Sequence, residues 1–252
     1  MDIVYPPVIG AARLMFRALG LKITVTGAEH IPRTGGAVLA SNHVSYLDFI
    51  FAGFAAQPSK RLVRFMAKEP IFTHKVSGPL MRGMHHIPVD REAGAASYAA
   101  ALRALRAGEV VGVFPEATIS RSFTVKEIKS GALRLAQSAD VPLVPVALWG
   151  GQRLFTKGLP RDLTRGRAVT IAVGEPMRPP RRGDGDALTA ELRARMQALL
   201  DDAQAKHRDQ PEPGTDAPWQ PRHLGGTAPT PEEAAVLDRE EVEARRAARK
   251  QG

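Results

Sequence analysis

The chain has 252 residues, 44% of them hydrophobic, which is enough for one sizeable core. Its formal net charge of +9 predicts a negatively charged partner, such as anionic lipid, nucleic acid or a phosphorylated substrate. The absence of cysteine excludes disulfides, thiolate zinc sites and cysteine nucleophiles. The aromatic content of 6% weakens a base-stacking role in nucleic-acid binding without excluding it. We expect no nucleic-acid partner.

Residues 1–20 predict an amphipathic helix that begins near Val8, after two prolines. Arg13 and Arg17 are four residues apart and share a face, a pattern typical of a helix lying in the membrane interface. A helix packed on the core fits the same pattern. A secretory signal is not favoured, since Asp2 stands where its positive charges should be, and no apolar run of about 18 residues predicts a spanning helix.

Strand-like and helix-like segments alternate from residue 21 to residue 205. The predicted strands are 22–26, 37–40, 62–66, 84–89, 110–114, 143–148 and 169–173. The predicted helices are 97–107, 132–139 and 188–205. This alternation predicts one α/β domain over residues 21–205, a mixed sheet flanked by helices.

Residues 206–252 form a tail of different composition. Prolines and glycines predict a linker to about residue 230, and Thr230 with Glu233 predicts the capping box of a solvated, charged helix. The charged pairs at helical spacing are Glu241 with Arg245 and Glu243 with Arg246. From residue 205 onward eight basic and nine acidic side chains give a net charge of −1, so the preceding residues carry +10.

The best candidate catalytic pair lies in residues 41–48, with the sequence SNHVSYLD. His43 follows a buried strand, and α/β proteins place their sites at the carboxyl ends of strands. A histidine accepts a hydroxyl proton near neutral pH, and a carboxylate on its other nitrogen fixes its orientation. We expect Ser45 to start a helix as its N-cap, so that His43 folds back towards Asp48. An ordinary capping box, with a purely structural Asp48, fits the same residues.

Four blocks, in order, resemble the glycerophospholipid acyltransferases, in particular the 1-acylglycerol-3-phosphate acyltransferases. The blocks are Asn42-His43 followed by four residues and Asp48; residues 83–91, GMHHIPVDR; residues 113–120, VFPEATIS; and residues 141–146, VPLVPV. The likeness covers about residues 20–205 and implies a glycerol-3-phosphate-acyltransferase-like fold.

The resemblance also implies a reaction and a set of site residues. The reaction is transfer of a fatty acyl group from acyl-CoA or acyl carrier protein to the free hydroxyl of 1-acylglycerol-3-phosphate, giving phosphatidic acid. His43 is expected to be the general base and Asp48 its partner, with backbone amides near the helix start holding the oxyanion. The predicted substrate-binding residues are Arg91, Glu116, Thr118, Ser120 and Arg121.

Two positions depart from the family pattern. Ala117 replaces the usual glycine, and Ile119 stands where arginine is usual. We expect Arg121 to replace that arginine and to converge with Arg91 on one phosphate. A different lyso-acceptor, such as a lyso-aminolipid, is the first alternative. The second is a non-catalytic basic protein that binds anionic membranes or nucleic acid.

The expected partners are a lysophospholipid, an acyl thioester and an anionic membrane surface. We expect a peripheral or monotopic protein at the cytoplasmic face of the cell membrane. No cofactor is expected beyond the thioester co-substrate. No metal is expected either, because His85 and His86 on a predicted strand would point to opposite faces and make poor joint ligands.

Overall fold

A mixed sheet forms the centre of the protein in the computed structural model, which describes residues 2–90, 94–212 and 214–251, without the side chains at 245, 246 and 248–251. The strands of this described part are β1 (Lys22–Thr26), β2 (Ala37–Ser41), β3 (Val63–Lys68), β4 (Ile87–Val89), β5 (Val110–Val113), β6 (Leu143–Trp149) and β7 (Ala168–Val173). The helices are α1 (Tyr5–Ala18), α2 (Asp48–Ala55), α3 (Glu69–Thr73), α4 (Ser77–Gly83), α5 (Gly94–Arg106), α6 (Gly131–Ala139), α7 (Gly185–Ala205) and α8 (Pro231–Gln251).

The strands lie in the order β1-β7-β6-β2-β5-β3-β4. β2 pairs in parallel with β6 on one side and β5 on the other, whereas β7 pairs antiparallel with β6. The predicted α/β class, a mixed sheet flanked by helices, is therefore confirmed. Because β2 and β5 are parallel neighbours, the segments that follow them leave the same edge of the sheet side by side.

Both faces of the sheet are covered, and β2 is buried along its whole length. Its Val38 and Ala40 belong to a core shared with α5, α6 and α7. Its Ala37 and Leu39 belong to the core on the other face, shared with α1 and α2. Alternate side chains of β2 therefore pack into the cores on the two faces of the sheet. This packing on both faces holds β2, and the start of the segment that follows it, in a fixed position.

Helix α1 begins at Tyr5, before the predicted start near Val8, and it packs on the core. Phe16 is buried and stacks on Phe51 of α2, with ring centroids 5.5 Å apart. Leu14 on the same helix is 68% exposed. The buried face fits the interpretation of α1 as a helix packed on the core. The exposed Leu14 fits the interpretation of α1 as a helix lying in the membrane interface.

Within the described ranges, no helix combines the length and the apolar character that crossing a membrane requires.

The predicted strand over residues 84–89 is wrong in its first half. Met84 follows the end of α4, His85 has a left-handed backbone with φ of +56°, and β4 begins only at Ile87. The buried His86 accepts a hydrogen bond at Nδ1 from the backbone N–H of Phe65, at 3.0 Å. The two histidines therefore do not alternate along a strand. Helices α3 and α4 were not predicted, because helices of five and seven residues are too short to show a period.

The segment predicted to be a linker packs against the domain. Ala217 and Ala228 are fully buried, and the guanidinium of Arg153 lies 4.1 Å from the ring centroid of Trp219. Prolines and glycines prevent a regular element here, but they do not prevent apolar side chains from being buried.

Helix α8 starts with the predicted capping box. Glu233 N–H donates to Thr230 Oγ1 at 3.2 Å, and Thr230 N–H donates to a Glu233 carboxylate oxygen at 2.8 Å. The helix is not simply solvated, because it contacts the domain through acidic residues described below. The pairs expected with Arg245 and Arg246 lie outside the described side chains.

Candidate active site

His43 and Asp48 form a hydrogen-bonded pair at the carboxyl end of β2. His43 Nδ1 lies 2.9 Å from Asp48 Oδ2. The Asp48 side chain is fully buried, whereas the His43 side chain keeps 22% of its surface exposed. The arrangement leaves the other ring nitrogen of His43 free of Asp48, so the imidazole can accept a proton from outside.

The turn between the two residues differs from the one we predicted. Ser45 is not the N-cap, because α2 starts at Asp48 and the residue before it, Leu47, is in helical conformation. Asp48 Oδ2 instead accepts the backbone N–H groups of Val44 and Ser45, at 2.6 and 2.7 Å. One carboxylate therefore both shapes the turn and orients His43, so the structural and catalytic interpretations of Asp48 do not exclude each other.

The environment of Asp48 disfavours its negative charge. Burial raises the pKa of its carboxyl above the ordinary value, against the hydrogen bonds from His43, Ser45 and Val44. A buried carboxylate of this kind gains from a positive charge on the neighbouring ring. Asp48 would therefore stabilise the imidazolium that forms when His43 takes up a proton.

Glu116 lies in the loop that follows β5, and its carboxylate connects this loop to the turn that contains His43. Its Oε1 accepts the backbone N–H of His43 at 2.8 Å, and its Oε2 accepts the backbone N–H of Lys126 at 3.0 Å. Burial raises the pKa of Glu116 to about 8, with a smaller push from the charge of Asp48, although both amides and the Lys126 charge oppose the shift. In this structure Glu116 holds the loop and His43 together and pairs with no arginine among the described residues.

Asn42 and Phe114 fix His43 from two further directions. The Asn42 amide side chain bonds both backbone groups of Leu148 on β6, donating to its C=O at 3.0 Å and accepting from its N–H at 2.7 Å. The ring of Phe114 stacks on the imidazole with centroids 4.4 Å apart. The histidine is thus held by its backbone, by one ring nitrogen and by one ring face, as a positioned base requires.

The pattern of the acyltransferase family matches residues 22–149, which is half of the chain and includes this site. The chain belongs to the acyltransferase family. A 1-acyl-sn-glycerol-3-phosphate acyltransferase of Bacillus subtilis is 33% identical over 159 residues, 62% of this chain and 73% of that protein. One from Borreliella burgdorferi is 28% identical over 144 residues and is matched over 56% of its own length.

The fold is shared with a solved structure, the crystal structure of a 1-acyl-sn-glycerophosphate (LPA) acyltransferase from Thermotoga maritima. The TM-score is 0.69 at 25% sequence identity, and the match covers 81% of each chain. The mixed sheet and its flanking helices are therefore the fold of an acyltransferase domain.

The loop after Glu116 contains three further predicted substrate-binding residues: Thr118, Ser120 and Arg121. Thr118 Oγ1 accepts a hydrogen bond from Lys157 Nζ at 3.2 Å. Ser120 is fully buried, its hydroxyl donates to the Thr124 carbonyl at 2.8 Å, and its N–H donates to the His43 carbonyl at 2.7 Å. In this structure Ser120 holds the loop, and its contact with substrate stays a prediction.

The structure describes only one of the two predicted phosphate arginines, Arg121. The Arg121 guanidinium lies 3.4 Å from Asp238 and 3.0 Å from Glu241, both on α8, so it is paired with carboxylates of the chain itself. Arg91 lies outside the described residues. Binding of one phosphate by Arg91 and Arg121 together therefore remains a prediction.

The two departures from the family pattern have clear structural consequences. Ala117 has a φ of +60°, a conformation that glycine adopts more easily, so the alanine is accepted there at some cost in strain. Ile119 is buried, with 4% of its surface exposed. The position where arginine is usual therefore contributes core packing and no charge.

The expectation that backbone amides near the start of α2 hold the oxyanion is wrong for residues 43–48. Each of these six N–H groups already donates to an acceptor in the chain. The acceptors are Glu116 for residue 43, Asp48 for residues 44 and 45, the Phe155 carbonyl for residue 46, the Ser45 hydroxyl for residue 47 and the Ser45 carbonyl for residue 48. The backbone N–H groups of residues 43–48 are therefore not available to bind an oxyanion.

Four residues around this site were not predicted from the sequence. They are Phe114, which supports the imidazole; Asn42, whose side chain clamps β6; and Lys126 and Lys157, which lie beside the third block. Asn42 and Phe114 were visible inside the quoted blocks. Lys157 had no signal, because it lies outside all four blocks and reaches Thr118 only through the fold.

Proposed function

We propose that this acyltransferase transfers a fatty acyl group from a thioester, acyl-CoA or acyl carrier protein, to the free hydroxyl of 1-acylglycerol-3-phosphate, giving phosphatidic acid. The observation that carries the proposal is the His43–Asp48 hydrogen bond of 2.9 Å at the carboxyl end of β2. The reaction of the named relatives, which act as 1-acyl-sn-glycerol-3-phosphate acyltransferases, supports the choice of acceptor.

The geometry supports general base catalysis by His43. With Nδ1–H donated to Asp48, the lone pair of Nε2 accepts the proton of the acceptor hydroxyl. The oxygen attacks the thioester carbonyl carbon, a C–O bond forms, and the tetrahedral intermediate collapses as the C–S bond breaks. The imidazolium then returns its proton to the departing thiolate, so the base is regenerated and no further reagent is consumed.

The first test is acyl transfer from labelled acyl-CoA, and separately from acyl carrier protein, to a panel of lysolipids. The panel contains 1-acylglycerol-3-phosphate, a lyso-aminolipid and a monoacylglycerol without phosphate. We expect 1-acylglycerol-3-phosphate to be the best acceptor. The donor that gives the faster transfer, acyl-CoA or acyl carrier protein, is then identified as the thioester substrate. Absence of transfer to every acceptor would overturn the proposed function.

One observation favours keeping the lyso-aminolipid in the panel. Ile119 is buried where arginine is usual, and Arg121 is paired with Asp238 and Glu241. The family's usual phosphate contact is thus absent at its own position. If the lyso-aminolipid is the best acceptor, the substrate class is corrected while the acyl-transfer chemistry stands.

We also propose that the protein works at the cytoplasmic face of the cell membrane, as a peripheral or monotopic protein. Ile3 and Leu14, before and on α1, are 76% and 68% exposed, and Val76, just before α4, is 69% exposed. Helix α1 contacts α3 and α4 through a small apolar cluster, so these exposed apolar side chains stand on adjoining elements. Together with the positive charge of the first 204 residues, they suit an anionic lipid surface.

A further inference from the structure

Three basic side chains meet around Asp238, beside the loop that follows Glu116. Arg121 and Lys126 lie in the loop after Glu116, and Lys157 comes from the segment after β6. Their side chains are only 17%, 25% and 11% exposed. We call Arg121, Lys126 and Lys157 the cation cluster. Like charges this close and this poorly hydrated require an anion between them.

The cation cluster is tied to the catalytic residues by short links. The backbone N–H of Lys126 donates to Glu116, whose other oxygen accepts the N–H of His43. Lys157 Nζ donates to Thr118, two residues after Glu116. An anion held by the cluster would therefore lie beside the loop that supports the general base.

In this structure the anion is supplied by α8. Asp238 contacts all three cations: Lys126, Lys157 at 3.2 Å and Arg121 at 3.4 Å. Glu241 contacts Lys157 at 2.6 Å and Arg121 at 3.0 Å. Since residues three apart share a helix face, one turn of α8 presents two carboxylates to one site.

The described side chains of α8 bury little apolar surface. Among its described side chains, from residue 231 to residue 244 and at 247, only Ala234 is buried, while Val236, Leu237 and Val242 are exposed. Its docking therefore depends on ion pairs rather than on apolar burial. Such contacts are weakened by salt and can be exchanged for another anion.

Two carboxylates carry the charge of a phosphate monoester, which is about −1.5 to −2 at neutral pH. We infer that the cation cluster is the binding site for the acceptor's phosphate and that Asp238 and Glu241 of α8 occupy it as an intramolecular competitor. The acceptor then binds only when α8 moves off the cluster. This inference rests on the proposed function, and it adds Lys126 and Lys157 to the residues that recognise the acceptor.

The test compares two double variants of the full chain with the same change in charge. Asp238→Asn with Glu241→Gln removes the carboxylates that face the cluster. Glu240→Gln with Glu243→Gln removes two exposed carboxylates of the same helix and is the matched control. The apparent affinity for a ligand falls in proportion to the fraction of open protein, so a site covered nine-tenths of the time raises KM about tenfold. We expect the first variant to lower the KM for 1-acylglycerol-3-phosphate about threefold or more, with kcat unchanged, and the control to match wild type.

A second measurement does not depend on activity. Amide hydrogen exchange over residues 231–247 is followed in the wild-type chain with glycerol 3-phosphate, and with sodium chloride at equal ionic strength. We expect faster exchange in α8 with glycerol 3-phosphate, because the soluble phosphate displaces its carboxylates. A KM in the Asp238/Glu241 variant equal to or above that of wild type, or exchange that glycerol 3-phosphate does not accelerate, overturns the inference while leaving acyl transfer intact. A chain that acylates no lysophospholipid fails the proposed function, and the exchange experiment then decides alone whether phosphate releases α8.

Discussion

At the scale of single residues, Asp48 explains how two residues five positions apart become a hydrogen-bonded pair. Its carboxylate gathers the backbone of residues 44 and 45 into a tight turn and bonds the ring of His43. The contact between the two side chains is therefore made within a six-residue turn, whereas Glu116 and Phe114 support His43 from distant parts of the chain. The consequences of changing the two residues should differ.

Replacing His43 removes the base without removing the turn. His43→Ala should lower kcat by roughly 10²–10⁴-fold, the usual scale for losing general base catalysis, with little change in Tm. Initial rates of acyl transfer and thermal unfolding measure the two effects. His223→Ala, at an exposed position of the carboxyl-terminal segment, is the control and should keep full activity. Near-wild-type turnover in a folded His43→Ala protein would rule out the mechanism.

Replacing Asp48 should affect both activity and stability. In Asp48→Asn a neutral amide takes the place of a carboxylate that accepts three N–H groups, so turnover should fall nearly as far as in His43→Ala. Unlike His43→Ala, this variant should also unfold at a lower temperature, because buried donors lose a charged acceptor. Full activity in a destabilised variant would make Asp48 purely structural.

Glu116 predicts a pH dependence of stability. Its pKa is raised from 4.5 to about 8, so between those values the folded protein keeps a proton that the unfolded chain has lost. The free energy of unfolding then decreases as pH rises, by up to about 1.4 kcal/mol per pH unit. Urea unfolding at pH 5, 6.5 and 8 should show wild type losing stability relative to Glu116→Gln, which cannot titrate there. Parallel stability curves for the two proteins would mean that Glu116 is ionised throughout.

At the scale of elements, the packing of β5 against β3 sets the position of the ring beneath His43. Phe65 of β3 stacks on Phe114, at 6.0 Å between centroids, and Phe114 stacks on the imidazole. Gly112 of β5 makes room for this stack, because a Cβ there would overlap the Phe65 ring and come within 2.9 Å of Val63 Cγ1. A glycine in the middle of a strand is thus explained by the close approach of a neighbour.

Gly112→Ala should therefore destabilise the protein and disturb the site together. Overpacking a core of this kind costs about 1–3 kcal/mol, and the displaced Phe65 should shift Phe114 and lower kcat. Gly131→Ala, where an added Cβ meets nothing within 4 Å, is the matched control and should leave both unchanged. Chemical unfolding and initial rates separate the two variants. Equal stability of Gly112→Ala and wild type would show that the ring stack adapts freely.

At the scale of the whole molecule, charge is divided unevenly along the chain. The first 204 residues carry +10 and the remainder carries −1. The positive charge of the domain is expected to attract an anionic lipid surface. It also attracts the acidic turn of α8, which contacts the cation cluster. Membrane binding and tail docking should therefore both weaken as salt is added.

Binding to vesicles tests the membrane part of this picture. Affinity for anionic vesicles should exceed that for neutral ones and should fall with added salt. Deleting residues 1–19 would remove the buried Tyr5 and Phe16 along with the surface, so Leu14→Glu is the sharper change. It should reduce vesicle binding without lowering Tm, whereas Leu224→Glu, on the carboxyl-terminal segment, should bind normally. Equal affinity of wild type for neutral and anionic vesicles at low salt would remove the electrostatic part of the proposal.

The sequence by itself determined the fold class, most strands and the contact between His43 and Asp48. Strand and helix periods extend over five or more residues, and the His43–Asp48 pair is closed within six, so their signals are local. The four ordered blocks pointed to the family for the same reason, because each block is a short continuous piece of chain. The short helices α3 and α4 were lost, since one or two turns carry no readable period.

Only the tertiary structure decided what the loop residues contact. Glu116 bonds a residue 73 positions away, Asn42 bonds one 106 positions away, and Arg121 pairs with one 120 positions away. The family resemblance implies that an arginine after the third block faces a ligand, but the sequence cannot tell a bound phosphate from carboxylates of similar charge. The arrangement of strands brings the loop after β5 beside the segment after β6, and the tail then places α8 across both. The contacts of Arg121 therefore depend on which charged groups the fold brings close to it in space, and a local sequence pattern does not predict this.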